Sequence, residues 1–415
     1  MSSVNIAHYF NSLNSISLST PQFSCKKKED SPLSIVKYEN NAKPEFKIDN
    51  YWDHYCRGLI VDLVSEKILC VPTPKSIDNV HLKDILFSQY DKCAEDSLNV
   101  TVEPLLDGTM INLYYNEEWC HSTRSVIGAE CRWSSQKTFK AMFQEILGEH
   151  ILDFYDTLSK DTCYTFLIRH SDNRIVSPIV TNSLYLIDAH RIDRDTKSIY
   201  KINIHGMEVH KAYDCIPPIY KCVCAFGKED LYERIQTAVK NCHNSYDKYT
   251  QGVCVRVNEF RFNYKNDDYG RIKSYKGNSA NPLFTYVDQR YKGILPDYLK
   301  HFPEKLKEYS RYRDKVHIMT QEFYDFYCST FKQKTTSLKE DVPYQLKPLC
   351  YELHGLYLQD KKPVHFKMVQ GFVNKMPPVR LYFVLKFYFT YTKPEGTTTH
   401  IHYGEAEEGE ILEEP

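Results

Sequence analysis

Hydrophobic periodicity changes along this chain at about residue 281. Before that point, short runs of β-branched and aromatic residues alternate with turn residues, which is typical of strands. Beyond it, apolar residues recur at helical spacing, as over 364–373 and 380–389. Pro282, Pro296 and Pro303 mark the change. The pattern predicts an α+β domain of antiparallel sheets with a few flanking helices, followed by a mostly helical C-terminal domain.

Four segments are therefore expected. Residues 1–34 form an N-terminal arm rich in Ser and Asn, and residues 35–280 form the sheet-rich domain. Residues 285–392 form the helical domain. Residues 394–415 form an acidic disordered tail, because they are polar and include six Glu between positions 405 and 414.

Composition excludes several classes of protein. With 42% apolar and 26% charged residues, the 415-residue chain is typical of soluble globular proteins. No apolar run approaches the roughly 20 residues that cross a bilayer, so no membrane partner is expected. The first residues show no secretory signal. The 14 Cys form no CxxC pair, which predicts reduced thiols in a cytoplasmic, reducing compartment. Neither His nor Cys shows metal-ligand spacing, so the residues predict no metal site.

Positive charge is concentrated in the C-terminal part of the chain. The formal net charge of the whole is −1, but residues 261–395 hold 24 Lys and Arg against 14 Asp and Glu, a surplus of ten. Such a surface, interleaved with Tyr, could follow a phosphate backbone, and RNA or DNA is the partner it favours. Solvated helix faces are the alternative interpretation. The helical domain could equally dock another protein in a complex.

Seven short motifs follow one another through the predicted sheet-rich domain. Each lies at the end of a strand-like run or within one, and the last is expected on a strand over Gly270–Tyr275. Any one of them occurs by chance, but their order is informative. They are Arg57-Gly58-Leu59-Ile60-Val61-Asp62, Glu103-Pro104-Leu105-Leu106-Asp107-Gly108-Thr109, Ser122-Thr123-Arg124-Ser125, Thr165-Phe166-Leu167-Ile168 with Asn173-Arg174-Ile175-Val176, Leu184-Tyr185-Leu186-Ile187-Asp188-Ala189, Gln251-Gly252-Val253-Cys254-Val255-Arg256 and Arg271-Ile272-Lys273-Ser274.

This order resembles the ATP-dependent RNA ligases of the phage RNA ligase type, within the covalent nucleotidyltransferase superfamily. The family pattern runs RG-strand, KxDGS/T, STRGS-like strand, FEFxGPxNRIV, hydrophobic strand, EGxVVR and KxKS, and the resemblance covers residues 35–276. It implies a ligase-like nucleotidyltransferase domain with ATP and Mg²⁺ as cofactors. In that family a lysine takes AMP from ATP, passes it to an RNA 5′-phosphate, and a 3′-hydroxyl then displaces it. Acidic residues hold the ribose and the metal.

The chain departs from the family where the chemistry is hardest. The position of the nucleophilic lysine is Leu105, whose side chain has no lone pair and cannot form a phosphoramidate. The acid of the third motif falls on Leu167. The acid of the fourth falls on Gln251, which keeps an oxygen acceptor and loses the charge. The two lysines of the last motif are Arg271 and Lys273. No catalytic residue is predicted.

Other positions match the pattern, among them Gly58 and Arg256. Gly108 and Gly252 permit tight turns close to a ligand. The resemblance implies a set of nucleotide-binding or phosphate-binding residues, namely Arg57, Asp107, Gly108, Arg174, Gln251, Gly252, Arg271 and Lys273.

Three functions remain open on the sequence. The first is a degenerate RNA ligase that keeps the fold as a nucleic-acid-binding or assembly module. The second is an active ligase that uses a displaced lysine such as Lys75, or takes over pre-adenylated ends. The third is a scaffold subunit of a larger complex, in a host cytoplasm or a virion if the source is a virus.

Overall fold

Two compact units, Met1–Arg271 and Ile272–Pro415, make up the protein. The structure, a computed structural model, describes residues 3–5, 23–38, 54–65, 67–92, 98–133, 135–193, 198–213, 221–222, 227–245, 247–258 and 260–391. The predicted acidic tail and most of the predicted N-terminal arm lie outside these residues. The arm's described parts contain strands, and the predicted domain boundaries stay predictions.

The first unit is built on three antiparallel sheets. A six-stranded sheet has the order β1-β11-β10-β9-β7-β8, and two four-stranded sheets have the orders β2-β3-β4-β5 and β12-β6-β13-β14. The strands are β1 (Ser3–Asn5), β2 (Phe23–Lys27), β3 (Leu33–Tyr38), β4 (Arg57–Asp62), β5 (Lys67–Cys70), β6 (Val100–Pro104), β7 (Thr109–Asn116), β8 (Glu118–Ser122), β9 (Thr162–Arg169), β10 (Ser183–Asp193), β11 (Ser198–Lys201), β12 (Lys221–Cys222), β13 (Gly252–Val257) and β14 (Phe260–Lys265).

Six α-helices begin within the described part of the first unit. They are α1 (Leu82–Lys92), α2 (Phe139–Leu147), α3 (Ile151–Asp156), α4 (Glu208–Tyr213), α5 (Lys228–Ser245) and α6 (Asp267–Lys276). Helices α2 and α3 cover one face of the six-stranded sheet, where Phe143, Phe154 and Phe166 are fully buried. The predicted α+β class with antiparallel sheets and flanking helices is confirmed.

The β12-β6-β13-β14 sheet has one apolar and one polar face. Its apolar face packs under α1 and α5, where Val102, Val255 and Phe262 are fully buried against Leu86 and Ile235. Side chains alternate between the two faces of a strand, so the residues between these point to the interior of the unit. That inward face carries charged residues, which form part of the candidate site.

The prediction of a strand over Gly270–Tyr275 is wrong, because these residues lie in helix α6. The sequence contains helix signals on both sides of them. The Asn266 side chain accepts from the Asp268 amide at 3.0 Å, two Asp occupy the first turn, and two Lys the last. Gly277 follows with a positive φ of 70°, as a residue that ends a helix often does.

The second unit is helical, as predicted. Its helices are α7 (Pro282–Tyr291), α8 (Leu295–His301), α9 (Leu306–Tyr327), α10 (Lys347–Asp360), α11 (Phe366–Asn374) and α12 (Pro378–Tyr391). Much of its tyrosine content serves the interior: the Tyr309 ring lies 5.4 Å from that of Tyr298 and 5.3 Å from that of Tyr286, and all three are buried. None of the helices that the structure describes is long and apolar enough to cross a membrane.

The buried His121 predicts acid sensitivity. It lies on β8 with its ring 4.9 Å from that of Phe143, and burial lowers its pKa to about 4. An unfolded chain, with a His pKa of about 6.5, binds one more proton below that pH. The free energy of unfolding therefore falls by about 2 kcal/mol through this group as the pH falls from 7 to about 5. Thermal unfolding of wild type and His121→Asn at both pH values checks this; equal losses would contradict it.

Candidate functional site

Charged and polar side chains from two of the three sheets, and from the segment after β5, meet inside the first unit. Arg256 on β13 lies directly opposite Arg261 on β14, and two like charges in that position repel each other. Both arginines are buried, so they need counter-charges. We call this group the inter-sheet polar layer: Thr73, Glu103, Asn112, Thr165, Asp188, Arg256 and Arg261.

Carboxylates from two different sheets neutralise Arg256. Its Nε donates to Glu103 on the neighbouring β6, and its Nη1 lies 3.4 Å from Asp188 Oδ2 on β10. Its Nη2 donates to the Ile187 carbonyl at 2.8 Å. The pKa of the Arg256 guanidinium is raised on balance, because burial lowers it but Glu103 and Asp188 outweigh that effect.

Asp188 is the acid on which this arrangement depends. It is 1% exposed, and burial alone would raise its pKa. The charges of Lys201, whose Nζ lies 3.9 Å from Asp188 Oδ1, and of Arg256 lower the pKa below its usual range. Asp188 is therefore ionised throughout the neutral range, and Lys201 and Arg256 compensate its negative charge.

Thr73 connects Arg261 to Asp188. The Arg261 Nη1 donates to the Thr73 hydroxyl at 2.7 Å, and that hydroxyl donates to Asp188 Oδ2 at 2.8 Å. The Thr73 amide donates to the Thr165 hydroxyl at 3.1 Å, which in turn donates to Asn112 Oδ1 at 3.0 Å. The layer is thus a continuous hydrogen-bonded chain from β14 to β7.

Leu105 lies at the end of this layer. Its amide donates to the Gly252 carbonyl at 2.9 Å, which continues the β6–β13 ladder by one residue. The alternation of strand β6 places Leu105 on the same face as Glu103, toward the interior. A half-buried hydrocarbon therefore occupies the position where the family pattern has its lysine.

Leu167 lies on the inward side of β9. It is two residues from Thr165 on the same strand, and it is 3% exposed. A Cβ on Gly108 would meet the Leu167 side chain and the Ile168 carbonyl, so the loop after Leu105 approaches β9 as closely as backbone allows. The positions of the lysine and of the third-motif acid are thus both hydrocarbon.

Asp107 anchors the same loop. Its Oδ2 accepts from the amides of Val176 and Ser177 at 2.9 and 2.8 Å, and its Oδ1 accepts from the Tyr269 hydroxyl at 2.7 Å. Burial raises the pKa of Tyr269, and the Asp107 charge adds to that effect. Both Asp107 oxygens are engaged by the protein itself, so this residue holds the motifs together.

The RG motif and the STRS motif meet at Gly58. Gly58 has a φ of 112°, and a Cβ there would lie 2.9 Å from the Arg124 Cα and 3.0 Å from the Thr123 carbonyl oxygen. Only glycine suits that conformation and that approach. Arg57 precedes it at the start of β4, half-buried.

Arg174, Gln251 and Gly252 have local roles. The Arg174 guanidinium donates twice to the Val176 carbonyl, at 3.1 and 2.9 Å. The Gln251 carbonyl accepts from the Asn266 amide at 2.9 Å. Gly252 has a φ of 145° and lies so close to β14 that a Cβ would be 3.0 Å from the Lys265 Cα. The structure thus brings the segments of Arg174 and Gly252 next to that of Asp107.

Arg271 and Lys273 do not lie on an inward-facing strand. Both are exposed on α6, and Arg271 pairs with Asp268 at 2.9 Å one turn away. The strand that pairs with β13 is β14, and its inward face carries Arg261 and Asn263. Sequence reasoning missed these two residues, although Asn258 at the turn of a hairpin would have indicated them.

The residues present do not fit a lysine-bound nucleotide with its metal. Two of the three key positions are hydrocarbon and the third is an amide. The nearby carboxylates of Glu103, Asp107 and Asp188 are already bound to protein donors. Among the described residues no three His, Cys, Asp or Glu side chains converge as metal ligands would.

Sequence relatives of the chain are viral proteins. No model of a known protein family matches it. Over 136 residues it is 29% identical to a "Putative RNA-ligase" of African swine fever virus, isolate Tick/Malawi/Lil 20-1/1983, covering 28% of this chain and 29% of that one. Over 152 residues it is 25% identical to the protein of that name from strain Badajoz 1971 Vero-adapted, covering 32% of each. The chain thus matches about a third of the length of these relatives.

Solved structures with partial similarity are ligases. An archaeal ATP-dependent RNA ligase, form 1, gives a TM-score of 0.42 at 12% identity, over 72% of this chain and 74% of that one. A "Putative ATP-dependent DNA ligase from Aquifex aeolicus" gives a TM-score of 0.39 at 14% identity, over 76% of this chain and 81% of that one. The viral relatives named for RNA ligation confirm the resemblance to RNA ligases that the motif order predicted.

Proposed function

We propose that this RNA ligase-like protein forms no lysine adenylate and uses its fold to bind nucleic acid. The observation that carries the proposal is Leu105, held by its backbone at the interior position of the family's lysine. An alkyl side chain offers no electron pair to the α-phosphate of ATP. The neighbouring Leu167 offers no charge, and Asp188 and Glu103 are neutralised by Arg256.

A test of adenylation uses α-labelled ATP with Mg²⁺ or Mn²⁺ and a denaturing gel. We expect no label on wild type and none beyond trace on Leu105→Lys, since an amine alone lacks the acidic residues around it. The triple variant with Leu167→Glu and Gln251→Glu restores all three positions. An active phage-type RNA ligase is the positive control. Acid-labile AMP on the wild-type protein would overturn the proposal.

Nucleic-acid binding is supported by charge. Residues 261–395 carry the surplus of ten positive charges, and the relatives are named for ligation of RNA. Fluorescence polarisation with labelled single-stranded RNA or DNA measures it. The logarithm of the affinity should fall linearly with the logarithm of salt between about 50 and 200 mM. A chain that binds neither polymer at the lower salt is not a binding module, and the scaffold hypothesis would then be favoured.

A second candidate function is that of an active RNA ligase, which either uses a displaced lysine or takes over pre-adenylated ends. Lys75 lies two residues beyond Thr73 of the polar layer, and its amide donates to the His54 carbonyl at 2.7 Å. Joining of pre-adenylated RNA without ATP, or label on Lys75 that is lost in Lys75→Ala, would establish this alternative. Absence of both leaves the non-catalytic proposal standing.

A further inference from the structure

The loop of residues 123–133 is built as a rigid platform beside the predicted site. Its start and end touch, because the Thr123 hydroxyl lies 3.7 Å from Cys131 Sγ. The Gly128 amide donates to the His121 carbonyl at 2.7 Å, and the Phe139 amide donates to the Cys131 carbonyl at 3.1 Å. The loop is therefore bonded to β8 on one side and to α2 on the other.

A left-handed turn shapes the middle of this loop. Gly128 has a φ of 92°, and Ala129 has a φ of 54°. An alanine rarely adopts a positive φ, because its Cβ is crowded there. Ala129 is fully buried, so packing holds it in this conformation. Strain of this kind persists where the surrounding packing holds the backbone in one conformation. That conformation fixes the direction of the rest of the loop.

The loop ends on an exposed tryptophan. Trp133 is 41% exposed, and no other aromatic side chain is among the exposed large apolar residues that the structure describes up to Arg271. A tryptophan left in water forgoes the burial that usually stabilises a fold. The chain contains three Trp in all.

Each end of the loop carries an arginine. Arg124 and Arg132 follow the two touching residues Thr123 and Cys131, and both are exposed. Within the described parts of the chain, neither guanidinium forms an ion pair. Nearby lysines differ: Lys137 pairs with Glu145 at 2.6 Å, and Lys140 with Glu130 at 3.1 Å. These two cations at the ends of the loop therefore stay available to an anion.

We infer that Trp133, with Arg124 and Arg132, holds an unpaired base and its phosphates in a single-stranded nucleic acid. An aromatic ring stacks on a base only where the base is not in a duplex, and arginines neutralise the adjacent phosphates. The loop base lies against Gly58 of the RG motif, so the strand is held at the edge of the predicted site. The inference rests on the proposed function, since it names where the nucleic acid binds.

The test measures binding of the full chain to single strands of about 12 nucleotides, in RNA and DNA forms. Trp133→Ala should weaken binding about tenfold, and Trp133→Phe should recover most of it, since a smaller ring still stacks. Arg132→Ala should lower the salt slope by about one. Leu152→Ala, a change at another exposed apolar residue of the unit, is the control and should bind as wild type does.

Tryptophan fluorescence separates stacking from indirect effects. A single strand should quench the tryptophan fluorescence of the wild type, and that quenching should be lost in Trp133→Phe. A duplex should quench the fluorescence of neither protein. Quenching by RNA or by DNA supports the inference, and the ratio of the two affinities shows which polymer the site prefers. Equal affinity of wild type and Trp133→Ala would overturn the inference and leave the proposed function intact. A wild type that binds no nucleic acid would overturn both.

Discussion

Asp188→Asn is expected to lower the free energy of unfolding of the first unit by about 3 kcal/mol, because breaking a buried ion pair leaves charges uncompensated. The amide can accept hydrogen bonds from Thr73 and Arg256, but it carries no charge to offset Arg256, Arg261 and Lys201. The melting temperature should fall by roughly 6–12 °C, which differential scanning calorimetry measures.

Asp268→Asn is the matched control for that change. Asp268 pairs with Arg271 on the exposed surface of α6, where such pairs contribute less than about 1 kcal/mol. The double variant Asp188→Asn with Arg256→Met should cost less than the sum of its parts, since removing both partners leaves fewer charges unpaired. An Asp188→Asn protein as stable as the Asp268→Asn control would show that the polar layer is not the electrostatic unit described.

Gly252→Ala is expected to destabilise the first unit by about 3 kcal/mol or more, through strain and overpacking together. At a φ of 145°, an alanine is strained even where space is available. Here space is not available either, since the new Cβ would meet the Tyr264 carbonyl and the Lys265 Cα of the paired strand. Urea unfolding followed by circular dichroism measures the change.

Gly270→Ala is the matched control, and its effect has the opposite sign. Gly270 lies inside α6 with nothing within 4 Å of an added Cβ. Alanine favours a helix over glycine by about 0.5–1 kcal/mol, so this variant should be slightly more stable than wild type. If Gly252→Ala and Gly270→Ala changed the free energy of unfolding by the same amount and in the same direction, the distinction between these glycines would be contradicted.

Much of the first unit could be predicted because its strands are short runs of β-branched and aromatic residues separated by turn residues. The strand Gly252–Val257 covers most of the motif Gln251–Arg256, which was expected at a strand, and a glycine begins it and a turn residue follows it. The apolar pattern of Gly270–Tyr275 is too short to distinguish a helix from a strand. The capping residues around this segment favour the helix. The fold class follows from periodicity, while the state of one short segment depends on its flanks.

The candidate site was less accessible to sequence reasoning. The motif order shows that Leu105 and Leu167 differ from the family pattern, but it does not show that Asp107 holds the loop through hydrogen bonds. Its partners Val176 and Tyr269 are distant in the chain, and only the folded sheets bring them together. The same holds for Asp188, whose role depends on which strands face each other. Exposure of Trp133 likewise follows from how its loop is anchored.

The opposed arginines on β13 and β14 have a consequence for cooperativity. A hairpin with Arg256 facing Arg261 is unfavourable by itself, because Glu103 is the one carboxylate that the described residues of its own sheet pair with these arginines. The second carboxylate, Asp188, arrives only when the six-stranded sheet docks. If the two sheets separated, the arginines of one and Asp188 of the other would lose their counter-charges. The two sheets should therefore unfold in one transition and open to hydrogen exchange together.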